Sequence, residues 1–197
     1  MNSDRLKAFT DGVVAVIITI MVLEMKPPEG ATLEDLLKVA PVFVSYVLSF
    51  IYVAIYWNNH HHFFALTPQV NGAVMWANLH LLFWLSLVPF ATAWAGEHPL
   101  QPWPSAAYGA ILLACALAWY LMQIAIFRAQ GPDSDLRRAT GRDWKGKSSP
   151  VACAVAIGVS FIEPGIAALI YAAVAAVWLI PDLRVNRVIA GRGAPRD

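Results

Sequence analysis

The chain has 197 residues, of which 58% are hydrophobic and 14% are charged, and its formal net charge is +1. Soluble globular domains are typically about 25% charged, so this composition argues against an ordinary soluble domain and indicates a membrane protein. The net charge says little, because the placement of the charges matters more than their sum. Cys115 and Cys153 lie inside apolar runs without the spacing of a disulfide or a zinc site, so we expect small buried hydrophobes there.

The first apolar segment follows a short basic stretch that contains Arg5 and Lys7. Residues 12–23, GVVAVIITIMVL, are apolar except for Thr19, and Asp11 stands directly before them. The arrangement is similar to that of a signal peptide, but no small-x-small cleavage site follows, and five more apolar segments come later. We therefore expect this segment to remain as a helix of the mature protein.

Six apolar segments are candidates for membrane spans, because a helix crosses the hydrocarbon layer in roughly 20 residues. Proline and glycine separate the segments. The fifth and sixth are short enough to form a re-entrant hairpin, although two crossings are favoured. The sequence predicts an all-α membrane protein with one six-helix domain over residues 1–197, whose spans are about 8–25, 36–57, 72–95, 104–127, 149–163 and 165–181.

The basic residues predict the orientation of these spans. With six crossings, both termini share one side of the membrane with the 58–71 and 128–148 loops. The other side holds only Lys26 and Lys38. Because Lys and Arg accumulate on the cytoplasmic side, we predict a multi-pass protein of the cell membrane with both termini in the cytoplasm, from Arg5, Lys7, Arg128, Arg137, Arg138, Arg142, Lys145, Lys147, Arg184, Arg187, Arg192 and Arg196.

One stripe of the first span combines apolar side chains with a hydroxyl group. At about 100° per residue, Gly12, Val16, Thr19, Ile20 and Leu23 share one face of the helix. Asp11 lies more than about 100° away from that face. The stripe could face lipid or a neighbouring helix, with the Thr19 hydroxyl bonded to the carbonyl of residue 15 or 16. It could instead line a narrow pore, in which an apolar constriction filters ions.

The carboxylate of Asp11 can be interpreted in two ways. A carboxylate near a helix N-terminus is favoured by the helix dipole, whereas ionisable groups within the membrane are usually paired inside the bundle. Arg5 is off the azimuth of Asp11, so a network that bridges the two is more plausible than a direct pair. Polar and aromatic residues that reach the same membrane depth come from the end of the second span, residues 57–62, and from the start of the third, at Trp76, Asn78 and His80.

The sequence offers little support for a metal site, a cofactor or an enzyme. The consecutive residues His60, His61 and His62 point about 100° apart on a helix and cannot converge on one ion. His80 alone is weak evidence for a haem ligand, and no nucleophile–base set, phosphate loop or nucleotide fingerprint is present. The mixed charges of the 128–148 loop indicate a solvated connector near anionic lipid rather than a nucleic-acid site.

The first helix resembles the signature of the transmembrane protein 175 family, the bacterial and endolysosomal potassium channels. That signature is Arg-x-x-x-Phe-Ser-Asp, and the chain has Arg5-Leu6-Lys7-Ala8-Phe9-Thr10-Asp11 before GVVAVIITIMVLEM. Three later stretches are similar to family sequences in the same order: WNNHHHFF, ANLHLLFWLSLVPFAT and WLIPD. The resemblance covers essentially the whole chain, although Thr10 replaces the family's serine.

The resemblance implies a fold and a function. Bacterial members of the family are tetramers of six-helix subunits, with four copies of the first helix around a central pore. The family's hydrophobic constriction falls on Val16, Ile20 and Leu23, with Thr19 beside them, although Val16 is smaller than the usual residue. The matching Arg and Asp, with His and Trp from the next helices, hold the pore helix, which implies an anchoring network of Arg5, Thr10, Asp11, Trp76, Asn78 and His80.

We therefore predict a passive, potassium-permeable cation channel without a cofactor. Its expected partners are potassium and other monovalent cations, the lipid bilayer and further copies of the chain, and not nucleic acid. One alternative is a proton- or cation-coupled carrier in which Asp11 and His80 titrate. Another is a membrane haem or interaction protein.

Overall fold

The computed structural model describes residues 3–67, 69–132, 134, 136–137 and 144–179. Helices are the main regular elements of these ranges. They are α1 (Ser3–Leu23), α2 (Leu33–Lys38), α3 (Ala40–Ala65), α4 (Gly72–Leu85), α5 (Val88–Glu97), α6 (Pro102–Gln130), α7 (Trp144–Ser160) and α8 (Pro164–Leu179). The closing residues 180–182 of the WLIPD stretch and six of the basic residues lie outside the described residues: Arg138, Arg142, Arg184, Arg187, Arg192 and Arg196.

Within the described ranges, four helical stretches are long and apolar enough to cross a membrane. They are Ser3–Leu23, Ala40–Ala65, Gly72–Glu97 and Pro102–Gln130. The shorter helices α7 and α8 have 17 and 16 residues. The all-helical fold with several apolar helices is thus present, whereas the number of six spans stays a prediction.

The helices differ in extent from the predicted spans. Residues 36–39 do not begin α3: the hydroxyl of Thr32 caps the separate helix α2 through the backbone N–H of Asp35. That hydroxyl also donates to the Asp35 carboxylate, which, with the Lys38 ammonium, lowers the carboxyl pKa. At its other end α3 continues past the predicted span end at Trp57 to Ala65. In this last part of the helix, Trp57 and His60 hydrogen-bond to α1 and α4.

The third predicted span consists of two helices in series. The chain breaks after Leu85, where the Ser86 hydroxyl donates to the carbonyl oxygen of Phe83 at 2.7 Å. Pro89 then enters the first turn of α5. Since proline has no N–H to donate to the preceding turn, the interruption follows from the sequence. Residues 72–97 still form one apolar stretch.

Two clusters of buried side chains hold the helices together. The larger contains residues of α1, α3, α4 and α6, including the fully buried Val53, Val74 and Met122. The smaller joins α6 to α7 and α8 around Tyr108 and Tyr171, whose rings are 5.6 Å apart. α6 contributes to both clusters and so connects α7 and α8 to the helices that surround α1.

Candidate functional site: the uncovered face of the first helix

α1 has one buried face and one exposed face. The buried face packs into the subunit through Leu6, Thr10, Val14, Ile17 and Met21. On the opposite side, the side chains of Val16, Ile20 and Leu23 are 55%, 40% and 80% exposed, and Thr19 is exposed between them. We call Val16, Thr19, Ile20 and Leu23 the α1 stripe. The stripe predicted from helical periodicity is thus a surface that the subunit leaves uncovered.

The hydroxyl group of Thr19 bonds to its own helix. Its Oγ1 donates to the carbonyl oxygen of Val16 at 2.8 Å. A hydroxyl oxygen has acceptor lone pairs besides its proton, so this bond leaves Thr19 able to accept from water or to contact a cation on the exposed side. The bond occurs in both readings of the stripe and therefore does not choose between them.

A buried hydrogen-bond network holds the N-terminal half of α1. Asn78 of α4 donates through Nδ2 to the hydroxyl oxygen of Thr10 at 3.0 Å. Its Oδ1 accepts from Nε2 of His60 on α3 at 2.9 Å, since an amide oxygen can only accept. The three side chains are 1%, 1% and 3% exposed. The His60 ring also stacks on Phe64, with the centroids 4.3 Å apart. One satisfied network therefore ties α1 to α3 and α4.

Asp11 is held by a different residue. The indole Nε1 of Trp57 on α3 donates to Asp11 Oδ1 at 2.8 Å. Thr10 and Asp11 are consecutive and point about 100° apart, so α1 is bound by α4 on one side and by α3 on another. The sequence analysis placed residues 57–62 at the membrane depth of Asp11 but did not include Trp57 in the anchoring network. Its spacing of three residues from His60 places both on neighbouring positions of one helix surface, but this spacing does not by itself select Trp57 over Trp76.

The other members of the predicted anchoring network lie on the surface of the subunit. Trp76 is 70% exposed. His80 is also exposed, and its Nε2 accepts a hydrogen bond from Trp84 Nε1 of the same helix at 3.0 Å. Arg5 is exposed as well. Of the predicted network, the structure thus brings Thr10 and Asn78 together. Among the described residues of one subunit, Arg5, Trp76 and His80 make no hydrogen bond to Asp11.

A chain of hydroxyl groups supports the C-terminal half of α1. Thr92 Oγ1 of α5 lies 2.7 Å from Ser49 Oγ of α3, which is 3.0 Å from the hydroxyl oxygen of Tyr108 on α6. Thr92 Oγ1 also lies 4.0 Å from the sulfur of Met21, which is 1% exposed and directly follows Ile20 in the sequence. The sequence analysis missed these residues, because single hydroxyls in apolar runs carry no recognisable spacing.

Metal chemistry has no structural support in the described part of the chain. Within residues 3–67, 69–132, 134, 136–137 and 144–179, no group of three or more His, Cys, Asp or Glu side chains is placed to hold an ion. His60 is used by Asn78, and His61 faces the ring of Trp57 at 6.1 Å. The site therefore consists of an uncovered stripe and of the contacts that fix the helix behind it.

These features define an α-helical membrane protein whose first helix is fixed at two depths while one of its faces stays uncovered. The family described as "Endosomal/lysosomal potassium channel TMEM175" matches residues 5–89, from α1 to the start of α5. The chain is 48% identical over 187 residues to a protein named as a potassium channel from Chryseobacterium sp. (strain P1-3), covering 95% of this chain and 97% of that protein. It is 33% identical over 152 residues to another so named from Streptomyces collinus, covering 71% and 74%.

The structure is similar to the crystal structure of a lysosomal potassium-selective channel TMEM175 homolog from Chamaesiphon minutus. The TM-score is 0.79 at 28% sequence identity, and the match covers 93% of this chain and 98% of that one. The chain therefore belongs to the TMEM175 family. This is a family of membrane channels and not of enzymes.

Proposed function

We propose that this chain is the subunit of a potassium-permeable cation channel and that the α1 stripe lines its pore. The relatives named as potassium channels and the potassium-selective structural neighbour support the permeant ion. The observation that carries the proposal for the site is the contrast between the two faces of α1. Contacts from Asn78, Trp57 and Thr92 fix the back of the helix, whereas Val16, Ile20 and Leu23 of the stripe remain 55%, 40% and 80% exposed.

The stripe suits a hydrophobic constriction. When copies of Val16, Ile20 and Leu23 surround a narrow axis, an ion that passes loses part of its hydration shell to an apolar ring, which is costly. Potassium holds its water less tightly than sodium, so the cost is smaller for potassium. The Thr19 hydroxyl oxygen, whose proton is engaged by Val16, can replace one lost water at this depth.

A single copy of α1 cannot surround an axis, so the proposal requires an oligomer. A closed ring of identical subunits brings the same stripe of every copy to the symmetry axis. We propose a homotetramer, as the family resemblance implies. The uncovered apolar stripe, with Leu23 80% exposed in the isolated subunit, supports an assembly that covers it.

We further propose that all six apolar segments cross the membrane and that both termini are cytoplasmic. The turn between α7 and α8 reaches the first turn of α6, where Ser160 Oγ lies 2.9 Å from Ser105 Oγ and the rings of Phe161 and Trp103 are 5.1 Å apart. Helices of 17 and 16 residues are about 25 Å long. They thus extend from one end of α6 through most of a hydrocarbon layer about 30 Å thick.

Ion flux from proteoliposomes tests the proposed function. Proteoliposomes that contain the purified protein should release potassium down its gradient and release sodium more slowly. Both fluxes should occur without an imposed proton gradient. The coupled carrier that uses Asp11 and His80 is not favoured by the comparisons, and it predicts that potassium flux follows an imposed proton gradient. The absence of potassium flux from vesicles that contain the assembled protein would contradict the proposal.

A further inference from the structure

A cavity separate from the α1 stripe lies between α3, α6, α7 and α8. We call it the four-helix cavity, and its wall includes Tyr56, Asn59, Ala116, Trp119, Ser149 and Trp178. Its volume is about 480 Å³ when the part that opens to the surroundings is included, which is in the range of small-molecule sites in proteins. None of its described lining residues belongs to α1, so the cavity is not part of the proposed pore.

The polar lining residues lie toward one end of the cavity. At the other end, the Tyr52 hydroxyl donates to the carbonyl oxygen of Tyr171 at 2.6 Å, which joins α3 to α8. Asn59 and Trp178 each lie seven residues, or about two turns, farther along these helices, and both line the cavity. Ser149 of α7 is at the same end, because it accepts a hydrogen bond from Trp178. A ligand would therefore meet polar groups at this end and an apolar wall farther in.

Contacts within the subunit already form the wall of the polar end. Trp178 Nε1 donates to Ser149 Oγ at 2.8 Å, and the Ser149 hydroxyl donates to the carbonyl oxygen of Lys145 at 2.8 Å. The rings of Tyr56 and Trp119 meet edge to face, with their centroids 6.1 Å apart. These side chains are thus held in place without a ligand, as is usual for small-molecule sites.

Two polar side chains of the wall lack hydrogen-bond partners. The Tyr56 hydroxyl and the Asn59 amide are half-buried and make no hydrogen bond with the described residues of the subunit. A tyrosine hydroxyl that is removed from water usually has a partner, and an amide offers both donors and an acceptor. The two residues are three apart on α3 and so lie on one surface of the helix. One occupant of the cavity can therefore pair with both.

These polar groups are too few for a cavity filled with water. The centres of water molecules could occupy about 40 Å³, which is enough for about two or three waters, since each needs about 10 to 15 Å³ on this measure. Each buried water typically makes two to four hydrogen bonds, whereas Tyr56 and Asn59 have the unpaired oxygen and nitrogen atoms of the described wall. Three waters fill about 90 Å³ in the liquid, which is about the size of one substituted benzene ring.

We propose that the four-helix cavity binds a small uncharged amphiphile that has a ring-sized apolar body and one hydroxyl group, of which a phenol is the simplest example. The hydroxyl of the ligand donates to Asn59 Oδ1 and accepts from Tyr56, and its apolar body packs against Leu112, Ala116 and Val174. None of the described lining residues is charged, so a charged ligand would lose its hydration without compensation. The bound molecule joins α3 to α6 and α8.

Binding of para-fluorophenol to the purified full-length protein in detergent micelles tests the site, and fluorine NMR measures it. We expect saturable binding of about one molecule per chain, in addition to the partition into micelles that does not saturate. Para-fluoroanisole keeps the ring but has no proton to donate to Asn59. It should bind about five- to tenfold more weakly, which corresponds to the loss of one hydrogen bond.

Two pairs of variants locate the bound molecule. Ala116→Phe fills the cavity and should abolish saturable binding, whereas Leu117→Phe, at the next residue of α6 and 47% exposed, should bind like the parent. Asn59→Leu leaves the cavity open and should weaken binding about five- to tenfold. Asn58→Leu changes the exposed neighbour of Asn59 and is its matched control.

The result of this test does not depend on ion flux. A parent protein that shows partition into micelles but no saturable binding would mean that the cavity holds water only, and it would overturn the inference. Saturable binding that Asn59→Leu leaves unchanged would also overturn it, and this comparison stands even where Ala116→Phe does not fold. Either result would leave the proposed channel function as it is, because the α1 stripe is separate from the cavity.

Discussion

Thr19 is the only side chain of the α1 stripe that can accept a hydrogen bond, and its proton is already engaged by the Val16 carbonyl at 2.8 Å. If its oxygen replaces a lost water at the constriction, Thr19→Val removes a contact to the ion worth about 1 to 1.5 kcal/mol. Potassium flux should then fall about five- to tenfold. Thr19→Ser keeps the hydroxyl and should conduct like the parent. Equal flux from the Val variant at matched protein levels would place Thr19 outside the conduction path.

The indole of Trp57 also contributes to stability as a single residue, because it donates the hydrogen bond that holds Asp11 at 2.8 Å. Trp57→Phe retains an aromatic ring and leaves Oδ1 of the carboxylate without this donor. We expect a loss of about 1 to 3 kcal/mol, seen as less assembled protein and a lower thermal transition. Trp103→Phe removes an indole that is 70% exposed at the start of α6 and is the matched control. An equal loss in both variants would mean that the Trp57–Asp11 bond contributes nothing specific.

Whole elements are positioned by satisfied buried polar groups rather than by apolar packing alone. Asn78 bonds Thr10 and His60 at once, so Asn78→Leu leaves a hydroxyl and an imidazole N–H buried without partners. The cost is about 1 to 3 kcal/mol for each group, and the thermal transition of the subunit should fall accordingly. Asn58→Leu changes an exposed amide on α3 and should shift stability by at most about 0.5 kcal/mol. Comparable transitions for the two variants would contradict this account of how α1 is held.

At the scale of elements, some features were predictable and others were not. The uncovered stripe of α1 follows from local periodicity, and the break after Leu85 has a local cause in Pro89. The partner of Asp11 could not be predicted from the sequence, because Trp57 and Trp76 both lie near span ends and only the packing of α3 against α1 selects Trp57. The hydroxyl chain through Ser49 and Thr92 depends in the same way on how three helices meet.

For the whole molecule, the position of α1 at a symmetry axis is the main expectation. A Val16→Cys variant should form crosslinks between subunits in membranes with an oxidant or a short thiol reagent, because a residue on the axis meets its own copies. Cys115 and Cys153 are buried and should not contribute. Leu169, on α8, is 70% exposed, and the Leu169→Cys variant should form no crosslinks between subunits. Crosslinks from residue 169 but not from residue 16 would place α8, rather than α1, at the centre of the assembly.

The barrier to permeation gives the most direct test of the pore. Leu23→Asn makes the apolar ring polar and wettable, so the cost of dehydrating an ion should fall; each 1.4 kcal/mol removed from the barrier raises flux about tenfold. Potassium and sodium fluxes should both rise, and their ratio should approach one, because a hydrated constriction no longer discriminates by hydration strength. Leu169→Asn, a leucine of similar exposure on α8 (70% against 80% for Leu23), should conduct and discriminate like the parent. If Leu23→Asn, measured in proteoliposomes at matched protein levels, leaves both fluxes and their ratio unchanged, the α1 stripe does not line the pore.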